Sequence, residues 1–293
     1  MTAVGPTFLV ADRQKMMADY FARKPPTIFW PGDIPRLLRD VQIKCHDLGL
    51  SGEQLLQFLH DEKLLVKAEF RSSNYPTIVR YLSGSHSPFQ LATSLRRRSF
   101  LCHRTALVVH GLAHSSEPIY VNQEQSPKPA PEDITQESIT TAFSNQQRQS
   151  QYIFKYAGTQ YLLLSGKNTG RAGVRPLKGP DGGDLDVTDL ERTLIDIVVR
   201  PAYAGGINQV ADAYKQAIAR IDVDHLIKLL KKMDYVYPYH QSIGFLLERA
   251  GAAENECRRL TQLGTQFDFY LDYKMKNPAY SKKWRLYYPP LLH

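Results

Sequence analysis

The chain has 293 residues, 43% hydrophobic and 23% charged, an ordinary globular composition with room for two cores. No apolar run is long enough to span a bilayer. The first ten residues lack the basic-then-apolar pattern of a secretory signal. The three scattered cysteines, Cys45, Cys102 and Cys257, suit neither a disulfide framework nor a zinc site, so a cytoplasmic, membrane-free protein is expected. The net charge of +8 is uneven: residues 1–100 hold 14 Lys/Arg against 9 Asp/Glu, and residues 258–293 hold 7 against 2. Two basic ends around a slightly acidic middle suggest contact with a polyanion such as nucleic acid.

From the N-terminus, Ala11 to Phe21 reads as a helix stopped by Lys24-Pro25-Pro26. A second helix opens at Gly32-Asp33. Ile34, Leu37, Leu38, Val41, Cys45 and Leu48 form one face, Arg36, Arg39, Lys44 and His46 lie off it, and Gly49 ends it. Ser51 caps a third helix, with Leu55, Phe58 and Leu59 inward and Gln54, Gln57 and His60 outward. The period then changes to two. Val66, Ala68 and Phe70 face one way, and Lys67, Glu69 and Arg71 the other. A turn at Ser72 to Pro76 leads to a returning strand, Thr77 to Leu82.

Helix, helix, helix and hairpin in about 80 residues is the order of a winged helix-turn-helix, which places its last helix in the major groove of DNA. Residues 1–83 are therefore expected to be a DNA-binding domain. Ser51, Gln54, Gln57 and His60 would face bases or phosphates, and Lys67, Arg71 and Arg80 would hold the backbone. A basic turn, Arg96-Arg97-Arg98, would add phosphate contacts at the joint to a second domain, residues 84–293. The alternative for the first unit is a small module that binds only protein.

That joint reads as two short helices, one capped by Ser87 and the other running from about Cys102 to His110 and ended by Gly111. His103 and His110 lie two turns apart on one face, too far to share a metal, and suit core or helix-end roles. Strands are expected at Pro118–Val121, Ser138–Phe143, Tyr152–Tyr156 and Gln160–Leu164, and an exposed glycine-rich loop at Lys167–Asp184. Thr188 and Glu191 fit a capping box for a helix carrying Leu190, Leu194, Ile197 and Val198. Helices follow at about Ile207–Arg220, Asp222–Lys232 and Gln241–Gly251. The aromatic and basic tail reads as a final strand at Trp284–Tyr288, or else as a surface that stacks bases. The fold class is thus α/β (α+β), a winged helix followed by a mixed α/β domain.

Three spaced stretches resemble the AbiEi-type antitoxin family. They are Ser87-Pro88 through Leu101-Cys102-His103-Arg104-Thr105-Ala106-Leu107 to His110-Gly111-Leu112; Val187 to Asp196 with Pro201 and Gly205-Gly206; and Asp224-His225-Leu226 with Gly244-Phe245-Leu246-Leu247-Glu248. The resemblance covers roughly residues 29–250. It implies a type IV antitoxin and transcriptional autorepressor that binds double-stranded DNA at repeats in its own promoter. It also implies a C-terminal domain that counteracts a nucleotidyltransferase toxin without a stable complex, as in phage defence, with no catalytic group, cofactor or metal. Two other readings stand beside it. One is a stand-alone regulator with a ligand-sensing C-terminal domain. The other is a Mg²⁺-dependent nuclease built on Asp186, Glu191 and Lys155 from the acidic cluster Asp184, Asp186, Asp189, Glu191 and Asp196.

Overall fold

In a computed structural model the described residues are 10–45, 49–129 and 134–292. The first elements are α1 (Val10–Ala22), β1 (Thr27–Phe29), α2 (Ile34–Lys44), α3 (Gly52–Asp61), β2 (Val66–Phe70) and β3 (Ile78–Ser83). The strands form an antiparallel sheet in the order β1-β3-β2. Helix α2 buries Ile34, Leu37 and Val41, α3 buries Leu55 and Leu59, and both meet Met17 and Phe21 of α1 in one apolar cluster. The expected α2 positions His46 and Leu48 lie outside the described residues. Of the expected inward set on β2, Ala68 and Phe70 are buried, but Val66 is 43% exposed. It sits at the strand's beginning, where no second layer covers it.

The next elements are α4 (Pro88–Ser94), β4 (Phe100–Leu101), α5 (His103–Val109), β5 (Ile119–Asn122), α6 (Gln136–Ser144), β6 (Ile153–Tyr156), β7 (Thr159–Leu164), β8 (Val174–Lys178) and β9 (Asp184–Thr188). A six-stranded mixed sheet runs β6-β7-β5-β4-β9-β8, with β5/β7 and β4/β9 parallel. Ser87 caps α4, and Gln90 completes a capping box. The Ser138–Phe143 stretch is helical, not a strand. Thr135 caps it, and burying Ile139 and Phe143, four apart, is a helical demand. The Lys167–Asp184 stretch is no open loop either. It contains β8, whose pairing with β9 closes the sheet edge. Isolated from β9, Val174–Lys178 carries too little apolar alternation to announce a strand.

The remainder is largely helical: α7 (Leu190–Val199), α8 (Ile207–Ala217), α9 (Val223–Met233), α10 (Tyr239–Ala250) and α11 (Glu254–Thr261). A small sheet, β10 (Phe269–Tyr270), β11 (Ala279–Ser281) and β12 (Leu286–Tyr288), closes the chain in the order β10-β12-β11. Helix α7 is buried on every side, not along one stripe, including Glu191, Arg192 and Asp196. Its cap is Asp189, whose carboxylate accepts from Arg192 N, rather than Thr188, which is already in β9. No helix among the described residues is long and apolar enough to cross a membrane.

The first sheet shares a core with the second. Ala68, Phe70 and Leu82 pack with Leu91, Val121, Phe154, Tyr161 and Val187. The backbones of Arg71 and Lys155 also exchange hydrogen bonds of 3.0 and 2.8 Å, which ties β2 to β6. Arg80 adds a polar clasp. Its guanidinium donates to the carbonyls of Ser94 and Leu95 at 2.8 Å each and lies 3.5 Å from the Trp30 ring.

Candidate nucleic-acid interface

Of the ten residues expected to meet DNA, six come together on α3 and the following hairpin. Ser51, Gln54, Gln57, Lys67 and Arg71 are exposed, and His60 is half-buried. Ser51 Oγ accepts from Gln54 N, and Gln54 Oε1 accepts from Ser51 N at 2.9 Å, so this pair holds the helix start. Gln57 donates to Asp61 at 2.8 Å. Exposed pairs of this kind contribute only about 0.2–0.5 kcal/mol and exchange readily for a ligand. His60 is committed to the fold. Its Nδ1 lies 2.5 Å from Leu65 O and its ring 5.8 Å from that of Tyr81.

On the hairpin, Lys67 and Arg71 flank Glu69, with ion-pair distances of 2.8 and 2.9 Å. They hold the Glu69 carboxyl down at about 2. The carboxylate thus cancels part of the local positive charge, a feature that sequence reasoning passed over although Lys-x-Glu-x-Arg on one strand face displays it.

Arg80 departs from expectation. It is 3% exposed, and its donors are spent on the Val79, Ser94 and Leu95 carbonyls, so it cannot hold a phosphate. The basic turn is docked on the C-terminal sheet and on Trp30. Arg96 lies 5.3 Å from the Tyr152 ring and donates to Gln123, and Arg97 lies 5.4 Å from the Trp30 ring. Arg98 adopts φ 57°, and its carbonyl accepts from Arg171. Arg97 and Arg98 nevertheless remain exposed.

The acidic cluster is dispersed. Asp184 pairs with Lys178, Asp186 with Arg171 at 2.6 Å, and Glu191 accepts from Asp222 N at 2.9 Å. Lys155 lies on β6 and Asp186 on β9, four strand spacings apart in the sheet order, or about 19 Å. Asp186, Glu191 and Lys155 are therefore not brought together as a nuclease centre. Instead Asp189, Glu191 and His225 bring ligand atoms within 4.8 Å of one another, a geometry able to hold a cation. Their atoms already carry structural bonds: Asp189 accepts from Arg192 N at 2.9 Å and meets His225 Nε2 at 3.0 Å, which pins the start of α7 to the start of α9. His225 was unrecognisable as a partner from sequence, being 36 residues away.

The two histidines at the start and just past the end of α5 serve the fold. His110 Nε2 lies 2.8 Å from Thr188 O. His103, at φ 51° and 7% exposed, is held at about 3 by burial and then by the fields of Arg192 and Arg200. Unfolded, it titrates near 6.5. The unfolded chain therefore binds the extra proton between these values. The stabilising contribution is complete above about pH 6.5 and declines as pH falls toward 3. His103→Asn, an amide that tolerates positive φ, should reduce the loss of unfolding free energy on acidification, read by urea denaturation, by about 3 kcal/mol between pH 6.5 and 4. An unchanged slope would remove His103 from the acid response.

The chain is a mixed α/β protein with a three-helix-and-hairpin N-terminal unit docked on a larger sheet-and-helix unit. No family model and no curated protein sequence matches it. Among solved structures it is similar to the crystal structure of the Rv2827c protein from Mycobacterium tuberculosis. The TM-score is 0.56 at 13% identity, over 97% of this chain and 95% of that one. At that identity the likeness is one of fold.

Proposed function

We propose that this protein is a DNA-binding transcriptional autorepressor of the AbiEi antitoxin kind. Its N-terminal unit would act as a winged helix on duplex DNA, and its C-terminal unit would antagonise a nucleotidyltransferase toxin in the cytoplasm. The observation that carries the DNA reading is the exposed face of α3, with Gln57 free of the helix cap that engages Gln54, followed directly by a hairpin that projects Lys67 and Arg71. Gln can bond adenine bidentately in the major groove, and hairpin cations can set register on phosphates. The antitoxin half rests on the three family-like stretches. Their residues build α5, α7 and α10, the central packing of the C-terminal unit.

The test is a salt-titrated gel shift of the full chain on DNA upstream of its own gene against random duplex. The full chain is needed because residues 1–83 alone would expose Ala68, Phe70 and Leu82, which pack into the shared core. Preferential binding to the upstream DNA is expected. Lys67→Ala or Arg71→Ala should weaken all sequences and lower the salt slope by about 1 each. Gln57→Ala should instead relax base preference at a cost of about 1–3 kcal/mol on the preferred site. Glu69→Gln removes the intervening carboxylate and should tighten binding to every duplex. Equal binding to both DNAs would end the repressor reading. Co-expression with the neighbouring nucleotidyltransferase, if there is one, should restore growth; failure to do so would end the antitoxin half.

A further inference from the structure

The C-terminal unit contains a cavity of about 920 Å³ that the DNA reading does not use. It lies where the parallel strands β5 and β7 end, at Asn122 and Leu164, and is walled by the end of α7, by residues 235–237 and by Tyr239 at the start of α10. Its size is within the range of small-ligand sites, and a crevice beyond the carboxyl ends of parallel strands is a common place for one.

Cations predominate around it. Lys128, Arg148, Lys167, Arg192 and Arg200 line it, against Asp196 as the one carboxylate among the described lining residues. Arg192 is neutralised by Asp196 at 2.8 Å. Lys128 and Arg148 are exposed, and Arg200 is half-buried at the end of α7. None of these three side chains has a hydrogen bond or ion pair among the described residues. Half-burying an unpaired guanidinium beside an already paired one is unfavourable unless an anion arrives.

Ring faces are the second feature. Half-buried Tyr235 and Tyr237 border the cavity, while Tyr203 is packed against His103 and Tyr120. At the rim Tyr152 stacks on Tyr75 with centroids 4.0 Å apart, under the Arg96 guanidinium. The third feature is unspent hydrogen-bonding capacity. Asp196 Oδ2 and His103 Nδ1, on lining residues 5% and 7% exposed, have no partner among the described residues. Fixed anion acceptance, flat apolar faces and a buried acceptor for a hydroxyl or amine together describe one ligand chemistry.

We propose that this cavity binds a nucleoside phosphate. Arg200, with Lys128 and Arg148, holds the phosphate, the tyrosines receive the base, and Asp196 accepts from a sugar hydroxyl or exocyclic amine. The phosphate- and sugar-binding roles are independent of the DNA-binding reading, because Arg200, Lys128, Arg148 and Asp196 belong neither to α3 nor to the hairpin; only Tyr75, in the hairpin's turn, and Arg96 touch the rim. The same chemistry is offered by a free nucleotide and by the phosphorylated end of a strand.

Isothermal titration of the full chain with ATP, AMP, adenosine, inorganic phosphate and a 5′-phosphorylated trinucleotide tests it. A nucleotide should saturate one site and bind at least about tenfold tighter than adenosine or inorganic phosphate. Arg200→Gln, and separately Lys128→Ala with Arg148→Ala on exposed positions, should weaken it about tenfold with an unchanged melting temperature. A trinucleotide that binds tighter than AMP, with the same loss in these variants, would support the site and make a strand end its source. The proposal is overturned by no saturable binding up to about 1 mM. Inorganic phosphate binding as well as nucleotide, or variants that bind like the parent, would overturn it too.

Discussion

Arg192→Ala is expected to cost about 3–5 kcal/mol of folding stability, enough to leave much of the chain unfolded at moderate temperature. The side chain is 2% exposed at the centre of the C-terminal unit. Its Nε donates to Asp196 Oδ1 at 2.8 Å, and its Nη1 donates to Thr169 Oγ1 at 3.0 Å and to Ala172 O at 2.6 Å. Glu124 Oε1 lies 3.9 Å away and accepts, with its partner oxygen, from Thr169 and from the Arg171 backbone. One guanidinium thereby fastens the 169–173 segment to α7. Removing it strands a carboxylate that burial already pushes above the usual range and leaves a carbonyl without its donor.

That mechanism has a pH signature. In the variant, Asp196 has lost its cation and is protonated in the folded state more readily than in the unfolded chain. The deficit should therefore shrink as pH falls from 7 to 5. The double substitution Arg192→Met with Asp196→Leu should recover most of the loss, since an apolar pair of similar volume avoids burying a charge. Urea denaturation of the three proteins decides it. A loss under about 1 kcal/mol in Arg192→Ala would show that the pair is no more than a surface-grade contact.

Gly244→Ala should cost about 3 kcal/mol, at the upper end for overpacking. A Cβ there would stand 2.1 Å from Trp284 Cζ3 and 2.2 Å from Cη2. The indole cannot move aside. It is fully buried, its Nε1 donates to Glu248 at 2.6 Å, and the neighbouring backbone is held by Gln241 Nε2, which donates to Trp284 O at 2.7 Å. This is the contact by which α10 receives the terminal sheet. Pairing Gly244→Ala with Trp284→Leu should cost less than the sum of the two single changes, because leucine removes the ring atoms the new Cβ would meet and that Cβ fills part of the space the indole leaves. Strict additivity in thermal melts would place the cost elsewhere. The same packing explains the tail. Its indole is a core plug, Lys283 pairs with Glu248, and Arg285 pairs with Asp268 at 2.9 Å, so these groups are engaged with the fold.

Much of the local structure was written in residues close in sequence. Ser51 and Ser87 start helices because a hydroxyl satisfies a free amide three residues on, whatever surrounds it. Asp222 capping α9 and Gly251 ending α10 at φ 93° follow the same local logic. The alternation on β2 and the apolar spacing of α2 likewise exposed the N-terminal unit's order. The capping-box spacing gave the start of α7 to Thr188, and the structure overturns that: the pairing of β9 with β8 draws Thr188 into the sheet, so the cap is the next residue, Asp189.

The site residues divide the same way. Gln57, Lys67 and Arg71 were readable as outward positions because period alone sets the face of a helix or strand. Arg80 was misjudged because an arginine on a strand carries no mark of what covers it. The Ser94 and Leu95 carbonyls and the Trp30 ring that bury it come from other elements. The cavity was invisible for the same reason. Its cations and tyrosines come from segments between residues 75 and 239, and nothing in their spacing brings them together. What the sequence determined by itself were features that depend on neighbours within a few positions and met no competing signal: the caps at Ser51 and Ser87, the periods of α2 and β2, the net charge of +8 and the order of the N-terminal helices and hairpin. Tertiary structure alone decided which charges are spent and which are free, because pairing and burial depend on distances across the fold that no local signal encodes.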